Sequence, residues 1–298
     1  MEAIEALKRT IHVTAEMQSL VKTMKVLAGL NIRVYERAAH AVAEYNRTIE
    51  RGLEIALRNL PETALPPRHA PGRKIGAVVF GSDQGMCGQL NDVVVAHALR
   101  ALARLAVRRE DQTTLAVGQK AAAQLEDSGQ VVEATLDVPG STGGIAATVH
   151  EVLLRIEEWH SQREIGMVVL FYCRPHSGTL YRPRGIRLLP VDIEWIRGLQ
   201  AKHWPSRVLP AYTMETEQLF HSLIREYLFV SLFRAFAESL ASENASRLAS
   251  MQVAERNIED RLKDLSAEFR QSRQSSITSE LLDIVSAFEA LKGKASCI

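Results

Sequence analysis

A chain of 298 residues in which 36 Lys and Arg nearly cancel 35 Asp and Glu, for a formal net charge of +1, has no broad electrostatic pull toward nucleic acid or anionic lipid. Its three cysteines, Cys87, Cys173 and Cys297, stand far apart without a C-x-x-C pair, which argues against a zinc site or a disulfide framework and makes a reducing compartment the default. No stretch approaches the length of a membrane span, and the acidic start Met1-Glu2-Ala3-Ile4-Glu5 fits neither a secretory signal nor a transit peptide, so direct membrane insertion is not expected.

The first predicted element is a helix over 1–58. One column at seven-residue spacing reads Leu7, Thr14, Val21, Ala28, Tyr35, Val42, Ile49, Ala56, and its companion reads Ile4, Ile11, Gln18, Lys25, Ile32, Ala39, Asn46, Leu53, with no proline before Pro61. A repeat held this long marks a helix supercoiled on a partner, and at 1.5 Å per residue Ile4 to Leu57 makes a rod of roughly 80 Å. The segment 59–72 follows, where Pro61, Pro66, Pro67 and Pro71 forbid helix and sheet interior alike, so it reads as a linker.

From 73 to 205 strands and helices alternate. Strands are expected at Lys74 to Phe80, Thr113 to Val117, Gln130 to Leu136 and Ile165 to Cys173, with helices from Leu90 to Val107, Gln119 to Glu126 and after Gly144 to His160, and a hairpin-like tail from Gly178 to Asp192. Such alternation implies a mainly parallel sheet covered on both faces, a Rossmann-like domain. The last element, 212–291, repeats the heptad pattern. Its columns are Leu223, Val230, Ala237, Asn244, Met251, Ile258, Leu265 and Phe220, Tyr227, Arg234, Ala241, Leu248, Glu255, Leu262, Phe269. It is the longer helix, about 110 Å, and the two terminal helices are expected to fold back on each other antiparallel, with the tip of the longer one overhanging. Each could instead be an ordinary amphipathic helix of a bundle. The polar interruptions Gln18, Lys25, Arg234 and Asn244 either set register within the seam or face an outer sleeve.

The α/β domain invites a nucleotide-binding, Rossmann-type enzyme reading, because a Gly-rich turn follows its first strand. The glycines, however, are Gly81, Gly85 and Gly88, with Ser82 where the second fingerprint glycine belongs, and no P-loop occurs. Tight turns and close packing explain the glycines better. Cys87 has no His and acid spaced near it as nucleophile partners, the histidines form no metal-ligand pair, and Asp83 beside glycine reads as a turn or cap residue. No cofactor and no metal are expected, and the chain alone is not expected to be a catalyst. A self-associating coiled-coil scaffold remains a second alternative.

Three stretches carry a specific resemblance. They are Thr14-Ala15-Glu16-Met17-Gln18-Ser19-Leu20-Val21-Lys22-Thr23-Met24-Lys25-Val26-Leu27-Ala28, then Ser82-Asp83-Gln84-Gly85-Met86-Cys87-Gly88-Gln89-Leu90-Asn91, and Leu240-Ala241-Ser242-Glu243-Asn244-Ala245-Ser246-Arg247-Leu248-Ala249-Ser250-Met251 followed by Asn257, Arg273-Gln274-Ser275-Ser276-Ile277-Thr278-Ser279-Glu280 and Asp283-Ile284-Val285. In this order they resemble the γ subunit of F-type ATP synthases along essentially the whole chain. The resemblance implies a shaft of two antiparallel terminal helices inside a ring of three α and three β subunits, with the α/β domain turned toward ε and the membrane c-ring. The shaft would couple ion flow to ATP synthesis or hydrolysis at the β subunits, peripherally bound on the cytoplasmic face of a bacterial inner membrane. It further implies that Arg247 faces acidic β-subunit segments, that Arg273 and Gln274 bond a β loop in one rotational state, and that Met24 and Lys25 belong to another shaft contact. The Ala- and Ser-rich stretch between Ala235 and Ala254 fits either a slim axle or close helix packing. Gln84, Gln89, Asn31 and Ser286 depart from residues usual in the family, as does Glu215-Thr216, which points to a divergent member such as one of an alternate F-type ATPase.

Overall fold

The structure, a computed structural model, describes residues 2–60, 74–105, 107–177, 179–201, 204, 208 and 210–295. The expected linker lies outside the described residues from 61 onward, as does Cys297. Two long helices bracket the chain, α1 (Glu2–Asn59) and α6 (Thr216–Ala295). Between them come β1 (Lys74–Phe80), α2 (Leu90–Arg104), β2 (Gln112–Val117), α3 (Gln119–Asp127), β3 (Val132–Leu136), α4 (Thr142–Arg163), β4 (Ile165–His176), β5 (Thr179–Leu189) and α5 (Ile193–Ala201). The chain divides into two compact units, Ala28–Leu248 and a smaller one of Met1–Leu27 with Ala249–Ile298.

In the larger unit the five strands form one sheet in the order β3-β2-β1-β4-β5, parallel except for β5, which returns antiparallel along β4. Strand β1 is central and buried from Ile75 to Phe80, which is why its sequence is a continuous apolar run instead of an alternation. One sheet face packs on α2 and α3 through Ala77, Val79, Leu90, Val94, Ala98, Ala121 and Leu125. The other packs on α4 and on parts of both long helices through Val78, Phe80, Leu170, Val149, Trp159, Tyr35, Leu232 and Phe236. Gly76 is required here, because a Cβ on it would meet Trp159 Cε3 at 2.6 Å. Gly118, at φ +104, turns β2 into α3, and a Cβ on it would meet Ser82 N at 2.7 Å, a conformation and a closeness that side chains rarely tolerate.

A third cluster joins Ile49, Leu53, Ala56 and Leu57 of α1 to Phe220 and Val230 of α6 and to Ile196 and Leu199 of α5. Helix α5 was not expected. Its nine residues offer too few turns for a periodic pattern; Asp192 Oδ1 caps its start by accepting from Glu194 N at 2.9 Å, and Gln200 Nε2 ties it to α1 by donating to Leu57 O at 3.2 Å.

In the smaller unit Gln18 Nε2 donates to Glu259 Oε1 at 3.4 Å and Lys25 pairs with Glu255, so numbers rise along one helix as they fall along the other. The antiparallel pairing is the expected one. Its inward positions follow the heptad columns, with Ile4, Leu7, Ile11, Thr14, Gln18 and Val21 half-buried on α1 and Met251, Ile258, Leu262, Leu265 and Phe269 half-buried or buried on α6. Gln18 and Lys25 thus lie in the seam, bonded across it, as register-setting residues do. From Arg273 to Ser286 every residue but Ser276 is exposed.

Candidate functional site

In a doubly wound sheet the ligand crevice lies beyond the carboxyl ends of the strands, where the order reverses. Here that point lies at β1, which has β2 on one side and β4 on the other. The chain fills it with its own groups. Asp83, just after β1, accepts Gln119 N at 3.0 Å and Val138 N at 2.8 Å, so one carboxylate brackets the loops that leave β2 and β3. Buried Asn91 accepts Ser82 N at 3.0 Å and donates to Ser82 Oγ at 2.9 Å, closing the turn on itself. Across the gap comes α6. Ser242 Oγ donates to Cys173 O of β4 at 3.0 Å, and one turn later Ser246 Oγ donates to Cys87 O at 2.5 Å.

The consequences are chemical. The N–H groups of Ser82, Gln119 and Val138 are taken by Asn91 and Asp83, and Gly81 serves packing: a Cβ on it would stand 2.4 Å from Ala121 Cβ. Cys87 is buried beside Ser82 and Asn91, and burial pushes the Cys173 thiol up to about 12, which leaves it an un-ionised, unreactive group. The open groove of the domain lies elsewhere, against α4 and the start of α6, lined by Leu153, Leu154, Leu228 and Phe229. Among the described residues no cluster of His, Cys, Asp or Glu could hold a metal ion, and no helix is long and apolar enough to cross a membrane.

The residues singled out from the sequence fall in both units. Arg247 belongs to the larger unit, where its side chain is 12 % exposed and bonds Glu243 Oε1 at 2.6 Å. Burial holds the Glu243 carboxyl above the usual range, Arg247 counteracts this, and Asp83 adds to it. Glu243 Oε2 and Arg247 Nε are buried without a hydrogen-bond partner among the described residues. Met24 and Lys25 belong to the smaller unit and are half-buried, Lys25 tied to Glu255. Arg273 and Gln274, on the same unit, are exposed, and Arg273 lies roughly 27 Å along α6 from Glu255 at 1.5 Å per residue. The departures scatter as well. Asn31 donates to Asn244 Oδ1 at 3.5 Å in the larger unit's seam, Gln84 O accepts Ser82 Oγ, Gln89 precedes α2, and Ser286 is exposed. Sequence reasoning missed Glu243, Glu255, Ser242 and Ser246; the last two share a helix face at i, i+4, a spacing that could have marked them. The Ala- and Ser-rich stretch proves to be close packing as far as Ser246, with Ala235, Ala237, Ser239, Ala241, Ser242 and Ser246 all buried.

Comparison with known proteins agrees with this layout. A family model described as ATP synthase matches residues 3–291. Proteins called ATP synthase gamma chain from Caulobacter sp. (strain K31) and Caulobacter vibrioides are 26% and 28% identical, each over 98% of this chain and 100% of their own length. Among solved structures, a chain of the Euglena gracilis mitochondrial ATP synthase (OSCP/F1/c-ring, rotational state 3) superposes with TM-score 0.61 at 17% identity, covering 97% of this chain and 95% of that one. A chain of the central stalk and c-ring of the Tetrahymena thermophila mitochondrial ATP synthase gives 0.55 at 20% identity over 79% and 99%. These superpositions speak for a common fold, long terminal helices bracketing a mainly parallel sheet. With the family model spanning all but a few residues at either end, the chain belongs to the ATP synthase family.

Proposed function

We propose that this chain is the γ subunit, the central rotor shaft, of an F-type ATP synthase or ATPase, a non-catalytic, peripheral subunit of a membrane complex. The observation that carries the proposal is the smaller unit: two helices paired antiparallel, with Val13 (48 %), Met17 (54 %), Leu20 (65 %) and Leu27 (54 %) exposed in a helical row beside the seam. Monomeric proteins do not leave such a row wet without a use for it, and a surrounding sleeve gives it one. In this reading the helix pair stands in the ring of α and β subunits, the α/β domain meets the ε subunit and the membrane c-ring, and ion flow turns the shaft so that the β sites change nucleotide affinity in turn. The place of action is the cytoplasmic face of a bacterial inner membrane.

Within this reading Met24, Lys25, Arg273 and Gln274 are contacts to the catalytic ring, and Arg247 meets acidic β-subunit segments. Charge-assisted contacts of this kind contribute roughly 1.5 to 3 kcal/mol each, enough to bias rotational states without freezing them. Because Arg247 is already bonded to Glu243, an acidic partner would have to share its guanidinium with that carboxylate. Native mass spectrometry after co-expression with candidate α and β subunits tests the proposal. One copy of this chain with six larger subunits is expected; several copies per particle, or a stable dimer of this chain alone, would overturn it. Arg247→Lys in the assembled complex should lower the ATP hydrolysis rate while retaining assembly, and unchanged turnover would remove Arg247 from the contact set.

A further inference from the structure

Between Glu164 and Asp192 the chain carries Arg174, Arg182, Arg184 and Arg187 and no acidic residue, a local imbalance in an otherwise neutral protein. The β4–β5 register sets Arg174 directly opposite Arg182 and Tyr172 directly opposite Arg184. Alternate residues of a strand share a face, so Tyr172, Arg174, Arg182 and Arg184 line the same side of the hairpin. Directly opposed side chains start with Cβ atoms about 4.5–5.5 Å apart, and like charges so placed destabilise a sheet. A fourth arginine reaches this side from α6. Arg184 and Arg234 both act on the Tyr172 hydroxyl, pulling against Glu238 and the burial that raise it. Glu238 is the carboxylate of the group; only 12 % exposed, it bonds Arg234 Nε through Oε1 at 2.8 Å, and its Oε2 is buried without a hydrogen-bond partner among the described residues. Among the described residues no acid forms an ion pair with Arg174, Arg182 or Arg184.

Guarding the edge of the sheet does not account for this. A charge on β5, the edge strand, would suffice for that, whereas Arg174 stands on β4, one strand inside. Every charge on this face of the hairpin is an arginine, whose flat fork matches a carboxylate in two parallel hydrogen bonds. We infer that the arginine-lined end of the β4–β5 hairpin receives a segment rich in Asp and Glu from a neighbouring protein subunit, whose carboxylates relieve the repulsion between Arg174 and Arg182. The inference rests on the reading of the chain as one subunit of a larger assembly; it concerns a surface remote in sequence from the contacts named above.

The test uses the full chain and its Arg174→Gln/Arg182→Gln variant. A fluorescent peptide of alternating Glu and Ala should bind the parent chain and bind the variant at least about tenfold more weakly, the effect of losing one charge-assisted hydrogen bond. The isolated variant should melt at the same temperature as the parent or higher, because the opposed charges are gone. Equal peptide binding by both chains would overturn the inference. So would a lower melting temperature with unchanged binding, which would make the arginines part of the fold. Displacement of the peptide by inorganic phosphate at matched ionic strength would mark the patch as a small-anion site and overturn it, and so would Arg-dependent sedimentation with phosphatidylglycerol vesicles, which would mark a lipid surface. Native mass spectrometry of the co-expressed complex is read separately: failure to assemble would sink the rotor proposal, while the peptide result decides the hairpin.

Discussion

In the larger unit, Ala28–Leu248, apolar side chains of the sheet and of helices α1 to α6 meet in three clusters, and Phe80, Trp159, Leu170 and Tyr172 are almost wholly buried. In the smaller unit two helices share one seam, and of its apolar side chains only Met251 and Leu265 are buried among the described residues, while Val13, Met17, Leu20, Val253, Ile277, Leu281 and Leu282 stay exposed. Both units draw on the same two helices. A sheet with helices on both faces can close its own core, but a lone helix pair has one dry side and must leave the rest wet. The first unit is therefore expected to carry the stability of the isolated chain, and the second to complete its burial against something else.

Changes in the larger unit should be the most costly. Trp159→Ala removes a side chain that covers Gly76 and donates to Glu133 Oε2 at 2.8 Å; a loss of about 5 kcal/mol is expected in denaturant unfolding, and a loss below about 2 would mean the sheet face is not packed as described. Alkaline pH should come next. Burial raises Cys173 from 9.0 to about 12 and Tyr172 from 10.0 to about 12. A raised folded pKa stabilises the neutral form, so stability is whole below pH 9 and drains as pH climbs toward 12. The Cys173 share is on the order of 4 kcal/mol, and Cys173→Ala should flatten that limb of the stability curve.

In the smaller unit the effects should shrink. Lys25→Met leaves the half-buried Glu255 without its partner and should cost about 1 kcal/mol, which the double change with Glu255→Leu should recover; a double variant as unstable as the single would show that the pair does more than hold register. Leu281→Ser with Leu282→Ser should alter the stability of the isolated chain by less than about 0.5 kcal/mol, yet weaken its entry into the complex. A large loss in the isolated chain would erase the contrast between the units.

The heptad columns were legible because they depend only on residues close in sequence: Ala28, Tyr35, Ile49, Ala56 and Leu53 are buried where the spacing put them. Arg234, a polar interruption of its column, pairs with the nearly buried Glu238 and acts on Tyr172, because around it α6 packs on the sheet as well as on α1 and follows neither seam alone. The strands were legible as apolar runs, and β4 ran longer than its apolar stretch because pairing with β5 extends it through Arg174 to His176. Helix α5 was not legible, since only its seat among Ile49, Leu53 and Phe220 gives nine residues a reason to be helical. Of the candidate contact residues, sequence supplied Lys25 and Arg247 but not their partners Glu255 and Glu243.

By itself the sequence determined the kinds of element, their order, and which side of each long helix is apolar, because these follow from periods of two and of three and a half residues read over neighbouring positions. Only the tertiary structure decided which groups meet: Asp83 across two other loops, Ser242 and Ser246 on the carbonyls of Cys173 and Cys87, and Arg174 against Arg182. Those meetings join positions far apart along the chain, and a shift of one residue in the pairing of β4 with β5 would carry the arginines to opposite faces.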